Sequence, residues 1–411
     1  MAEFNERGER LFQTKLGRMR WLNLFGAMAW NLPSAAGATL LQAYFAQTDP
    51  ANKVGMFATA AMAAGLAGTL TVIVAGALSD RTRSRWGRRN PWLLGGAAVA
   101  IVCLSLIQFV TVFPLVVLLY AIFQAGINMY VTALNALLPD RVAKHLLGQA
   151  SAFTAFGTLV ASGAAGFLAA EFLDIPATGL AVIGWTMMAG ALAFWFFLPG
   201  KSNKADAVQR RTLGEILAGL RPPSDRDFWF AFSGRMLFFL SLLMVINFQL
   251  YILTDFFGLD NAAAGDMIGL GSLILAVVAG VSTMTSGPLS DKVRRRKPFL
   301  IGATVLGLIA VGFPLAVREP VAYYVFMALA AIGYGIFISV DQALMVEVLP
   351  DAKNAARDLG FLSTANTLPI IFSAGLSGII ISVLGFEWLF IAGIVFQVAA
   401  AACIIPIRRV K

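Results

Sequence analysis

The chain has 411 residues, of which 59% are hydrophobic and 13% charged, with mean hydropathy +0.78 and formal net charge +9. Soluble globular proteins carry roughly a quarter charged residues, so this composition excludes an ordinary water-soluble fold and makes lipid the solvent. Cys103 and Cys403 both fall in apolar stretches, which implies no disulfide framework.

A bilayer core about 30 Å thick needs about 20 apolar residues per helix. Twelve such stretches are predicted, at 21–46, 54–79, 92–112, 114–138, 148–172, 177–198, 228–256, 262–289, 298–317, 320–349, 359–384 and 387–407. The fold class expected is an all-α membrane protein with twelve transmembrane helices. Residues 1–20 lack an uncharged apolar core and read as a polar lead-in, not a cleaved signal peptide.

The breaks between stretches carry the basic residues. The lead-in, the runs at 81–89, 141–144, 201–226 and 292–297, residues Lys353 and Arg357, and the C-terminus hold 28 of the 31 Lys and Arg on alternate breaks. By the positive-inside rule those breaks and both termini are cytoplasmic, in a cell membrane. The charge is spread as membrane insertion requires, so no nucleic-acid partner is expected.

GALSD at 76–80 returns as GPLSD at 287–291, an offset of 211. LPD at 138–140 and 349–351 keeps that offset, and SGAAG at 162–166 matches SAGLS at 373–377. Six spans are therefore repeated in one orientation. The expected organisation is a lead-in (1–20), a six-helix bundle (21–198), a cytoplasmic linker (199–226) with a short amphipathic helix at 213–220, and a second six-helix bundle (227–411). Gly65, Gly68, Gly163, Gly166, Gly375 and Gly378 read as close-packing positions.

Asp341 lies ten residues before Asp351, about 15 Å along a helix, within the membrane interior. An intramembrane carboxylate is costly to insert and often functional, and one buried there can take up a proton. Asp341 is the proton-coupling candidate; a structural hydrogen-bonding hub is the competing reading. Arg235 is the one cation inside a span. Its stem could let it snorkel outward, or it could partner Asp341 or an anionic group. Asp255 reads as an interface or capping residue, and His145 as a solvated loop side chain. No metal-ligand cluster, nucleophile constellation or GxxxxGK[ST] sequence stands out, so no enzyme, cofactor or ATP-driven reading is carried.

The run GALSDRTRSRWGRRNP, with five residues between Arg81 and Gly87, resembles the loop 2–3 signature of the major facilitator superfamily in its longer form. That form occurs in glycoside, pentoside and hexuronide cation symporters and in sucrose/proton symporter-like transporters. GYGIFISVDQALMVEVLPDAKNAARDLGFLSTANTLP at 333–369 and YVTALNALLPD in the fourth span are similar to the same group.

The resemblance implies two pseudo-symmetric six-helix bundles, alternating access, and a cavity lined by spans 1, 4, 7 and 10. Cavity candidates are then Trp30, Asn31, Ser34, Gln42, Gln124, Asn128, Thr132, Asn135, Asn247, Tyr251, Tyr334, Asn366 and Arg235. Gln124, Asn128, Thr132 and Asn135 share one helix face by spacing. Amides, hydroxyls and aromatic faces suit neutral sugars, so the expected activity is monomeric, proton-coupled symport of a sugar or glycoside. A drug or metabolite exporter, a lysolipid carrier and a non-transporting sensor or scaffold are the alternatives.

Sodium-coupled melibiose permeases would imply carboxylates in spans 2 and 4. Residues 54–79 and 114–138 hold none, so protons are favoured over sodium. By the same resemblance Asp80, Arg81, Arg88, Asp291 and Arg357 form a conformational gate, with Asp80 pairing an arginine or the start of the eleventh helix. The remaining loop arginines and tryptophans suit the anionic lipid interface.

Overall fold

The computed structural model describes residues 16–198, 225–293, 295–347 and 355–407. The expected linker helix at 213–220 and most of the lead-in lie outside them. Among the described residues there is no strand. Twelve long helices form among the described residues: α1 (Leu16–Thr48), α2 (Lys53–Arg81), α3 (Asn90–Ile107), α4 (Phe113–Arg141), α5 (Leu147–Ala170) and α6 (Pro176–Phe197) come first. Then follow α7 (Arg226–Ile246), α8 (Asn261–Val293), α9 (Lys297–Ala316), α10 (Val321–Glu347), α11 (Ala355–Leu384) and α12 (Phe386–Ile404).

Eleven of these are long and apolar enough to cross a membrane, among the described residues. The exception is α1, whose 33 residues suffice in length. Asn23, Asn31, Ser34 and Gln42 dilute its hydropathy. A second difference concerns the expected span 228–256, which is not one helix. α7 ends at Ile246, a single turn forms at Gln249–Tyr251, and a π turn follows at Ile252–Phe256. The break coincides with polar anchors: Asn247 Nδ2 donates to Ser373 Oγ at 2.9 Å, and Tyr323 donates to Gln249 Oε1 at 2.9 Å.

Local chemistry sets the helix starts. Pro91, Pro114, Pro176 and Pro298 each stand in a first turn, where the missing N–H costs nothing. Asp225 caps α7 by accepting from the Phe228 amide at 3.1 Å. Gly385 alone joins α11 to α12, at φ +94°, a conformation that penalises any side chain.

The chain divides into two compact units, Met1–Pro50 with Ala63–Gln209, and Ala51–Met62 with Arg210–Lys411. In unit one the extensive packings are α1 on α5 and α6, and α3 on α4 and α6. In unit two they are α7 on α11 and α12, and α9 on α10 and α12. The pairing order repeats on adding six, the packing counterpart of the sequence repeat. Unit two adds an α8–α10 packing that α2 and α4 do not match.

At α3–α4 the backbones themselves meet. A Cβ added at Gly96 would lie 2.6 Å from the Gly126 carbonyl oxygen, and one at Gly126 would lie 2.8 Å from that of Gly96. Neither backbone can yield locally, so Gly126→Leu is expected to cost about 1–3 kcal/mol. A thermal melt in detergent should show the loss, while Gly302→Leu, where an added Cβ meets nothing within 4 Å, should melt near the parent.

Candidate functional site

Two charges face each other inside unit two. α7 carries Arg235, 1% exposed, and α10 carries Asp341, 2% exposed. Arg235 Nη1 stands 2.7 Å from Asp341 Oδ2, yet that oxygen accepts no hydrogen bond. The contact is an ion pair at touching distance without an aligned N–H.

The guanidinium spends its directed bonds elsewhere. Nε donates to Asn366 Oδ1 on α11 at 2.6 Å, and Nη1 contacts Met345 Sδ. Its carbon lies 5.9 Å from the Phe239 ring centroid, and Phe239 meets Tyr334 edge-on at 5.8 Å. The snorkelling reading of Arg235 is therefore corrected: a buried partner and an apolar surround hold the side chain inside. Arg235, Asp341, Asn366 and Tyr334, all named from sequence, form one cluster. Met345, which sequence reasoning missed, completes it.

Removing one member of a buried pair leaves the other uncompensated, a loss of about 3–5 kcal/mol. Asp341→Ala is thus expected to melt well below Asp341→Ala combined with Arg235→Met, in which no orphan charge remains. Thermal unfolding of the purified variants checks the order.

The other candidates are scattered. Asn247 is tied to Ser373, as above. Tyr251 is fully buried, its hydroxyl donating to the Lys53 carbonyl at 3.3 Å. Asn31 Nδ2 reaches both Ser162 Oγ and the Thr158 carbonyl on α5 at 2.7 Å, and Gln42 bonds back to Ala38 at 3.3 Å. Trp30 and Ser34 are half-buried. On α4, a Cβ at Gly68 of α2 would lie 2.6 Å from Asn128 Nδ2 and 3.5 Å from Gln124 Cγ, and one at Gly76 3.8 Å from Thr132. The α4 stripe therefore faces the glycine row of α2, and Asn135 lies beyond it, exposed.

The α2–α3 loop builds a charge network of its own. Arg89 Nη2 pairs with Asp80 Oδ1 at 2.7 Å, its Nε with Asp140 Oδ2 at 3.1 Å, and its Nη1 donates to Ser79 Oγ at 2.7 Å. Arg88 pairs with the same Asp140 through two nitrogens. Asp80 thus has an arginine partner, but the residue is Arg89, 5% exposed, which the sequence reading left among the generic loop charges. Arg81 is exposed. In unit two Asp291 stands 3.8 Å from Arg296, and Arg296 and Arg89 occupy the same N-cap position before a first-turn proline. The Arg357 side chain lies outside the described residues. Arg89→Ala is expected to lower the melting temperature more than Arg85→Ala, since Arg85 is exposed with its guanidinium against Trp86.

Repeated six-helix packing of membrane-length helices, with a sealed charge pair between two of them, marks a polytopic membrane protein. The chain belongs to the Major Facilitator Superfamily, whose family model matches residues 21–281 and again 231–411. It is a multi-pass membrane carrier of small molecules, not an enzyme. It is 28% identical over 326 residues to the oxalate:formate antiporter of Oxalobacter formigenes, covering 75% of this chain and 72% of that protein. A 47-residue stretch is 51% identical to an uncharacterized symporter of Synechocystis sp., covering 9% of each chain. Among solved structures, nucleoside transporter NupG superposes with a TM-score of 0.74 at 13% identity, over 96% of this chain and 98% of that one. A bacterial homologue of the human lysosomal transporter Spinster, inward-facing and unoccupied, gives 0.63 at 15% identity, over 96% and 95%.

Proposed function

We propose that this chain is a proton-coupled secondary transporter importing a sugar or glycoside, with Asp341 as the proton acceptor and the Arg235–Asp341 pair as the coupling element. The observation that carries the reading is that ion pair: sealed from water, drawn from two separate spans, and lacking an aligned hydrogen bond. Protonating Asp341 cancels the attraction across α7 and α10 while Asn366 retains Arg235, so proton occupancy biases which helix arrangement is favoured.

The amides and hydroxyls on α1 and α4, Tyr334 on α10 and the resemblance of the α2–α3 loop support the sugar assignment. The concentration of Lys and Arg on alternate loops supports cytoplasmic termini in a cell membrane. The Asp80–Arg89–Asp140 network is assigned a conformational role on the cytoplasmic side.

A second reading, exchange of organic anions, is favoured by one observation: the relative at 28% identity is an oxalate:formate antiporter. Arg235, released by protonation of Asp341, would be the cation that receives a carboxylate.

Proteoliposome transport separates these. A panel of sugars, glycosides and small carboxylates is offered under an imposed pH gradient and, separately, in counterflow. The parent is expected to accumulate a sugar or glycoside with the gradient; uptake of carboxylates alone transfers the assignment to the second reading. Asp341→Asn should abolish gradient-driven accumulation at least tenfold while retaining counterflow. Intact gradient drive in that variant would remove Asp341 from coupling.

A further inference from the structure

One fully buried amide of unit one bonds to nothing. Asn23 on α1 is 0% exposed, and neither its Nδ2 nor its Oδ1 has a partner among the described residues. An amide withdrawn from water without compensation is costly. Further along the same helix Asn31 is also buried, yet it donates to Ser162 Oγ and the Thr158 carbonyl of α5 at 2.7 Å. The α1–α5 seam can therefore satisfy an amide, and at position 23 it does not.

The preceding turn holds a cation in a similar condition. Arg20 stands three residues before Asn23, which puts both on one side of the helix. Helical side chains lean towards the N-terminal end, so the Asn23 amide stands over the turn that carries Arg20. Arg20 Nη2 donates to Gln149 Oε1 on α5, and the guanidinium carbon lies 5.6 Å from the Phe153 ring centroid. Its Nε is buried and unpartnered. No carboxylate among the described residues pairs with Arg20.

The chemistry of these groups defines a ligand. Arg20 Nε and Asn23 Nδ2 are donors that call for anionic oxygens, while Asn23 Oδ1 is an acceptor that calls for an O–H. Hydrogen phosphate supplies both kinds of group. Sulfate, which carries no proton at neutral pH, can only accept. Arg20 is the partly exposed member of the set, so the anion enters on its side.

We propose that Arg20 and Asn23, with Gln149 opposite, bind a free protonated oxyanion of the phosphate type at the α1–α5 seam of unit one. Next to Asn23 the two backbones meet, since a Cβ at Gly157 of α5 would lie 2.4 Å from the Leu24 carbonyl oxygen. The bound anion satisfies the orphan amide beside that contact and so stabilises the folded unit. Arg235 and Asp341, in unit two, take no part, and the assignment does not depend on what is transported.

The test melts the purified full-length protein in detergent at neutral pH, with sodium phosphate or sodium sulfate titrated at constant ionic strength. A ligand of the native state raises the melting temperature by mass action. The parent should show a saturable rise with phosphate and a smaller, non-saturating one with sulfate, the general effect of an excluded salt. Asn23→Leu and Arg20→Gln should each weaken the apparent phosphate affinity about tenfold, equivalent to about 1.4 kcal/mol. Arg85→Gln, at an exposed arginine stacked on Trp86, should bind as the parent does. Because Asn23→Leu removes an unpaired amide, it should melt no lower than the parent in phosphate-free buffer.

Equal saturable responses to phosphate and sulfate, or no response to either, overturn the site. So does parent-like phosphate affinity in Asn23→Leu. An Asn23→Leu protein that melts well below the parent without phosphate shows that the amide is already satisfied in the unliganded protein, and overturns it as well. If Arg20→Gln does not fold, Arg20→Lys takes its place, keeping the charge and removing the Nε–H. Weakened phosphate binding in that variant supports the site, and unchanged binding overturns it. Failure here leaves the coupling reading standing, because that reading is measured by pH drive in Asp341→Asn.

Discussion

In hydrocarbon there is no water to bond a stranded amide or solvate a lone charge, and each such group costs several kilocalories per mole. Continuous helices meet the demand for the backbone, which is why the described chain is helix throughout with short connections. Where the backbone departs from the α-helix after Ile246, the polar side chains of Asn247 and Gln249 bond to Ser373 and Tyr323 on other helices. The same demand pairs Arg235 with Asp341. A guanidinium and a carboxylate survive burial by facing each other, with Asn366 accepting from Nε and Met345 touching Nη1.

That constraint divides the charged residues into two populations. Those at the helix ends satisfy one another in networks, as Arg88 and Arg89 do around Asp140. The pair inside, Arg235 and Asp341, faces across two helices, with Asn366 and Met345 also touching the guanidinium.

How far the sequence revealed this depends on the kind of information involved. Span positions were legible because hydrophobic length is a one-dimensional property, and the repeated GALSD and GPLSD announced the duplication that the α1–α5 and α7–α11 packings carry into space. Asp341 and Arg235 stood out as charges in apolar surroundings. Their pairing did not, since it depends on the rotation of α7 and α10 about their own axes. Five arginines in one loop look alike on paper; Arg89 is set apart by standing at the N-cap before Pro91, which turns its side chain back towards Asp80 and Asp140. The break at Asn247 was hidden because the flanking residues are as apolar as those of any continuous span. The polarity of α1 was visible in Asn23, Asn31 and Gln42, yet its helix length overrode it.

The most weakly covered span is α2. Only 17% of its apolar window is buried, against 61% for α7, and Leu66, Leu70, Ile73, Val74 and Leu78 are all exposed. Its 29 residues extend about 43 Å at 1.5 Å per residue, well beyond a hydrocarbon core of about 30 Å. Such a helix must tilt, stand proud of the bilayer or thicken the lipid around it, at fractions of a kilocalorie per ångström of mismatch. Because Lys53 sits at one end of α2 and Asp80 at the other, the tilt of this one helix sets where both charges lie relative to the lipid headgroups.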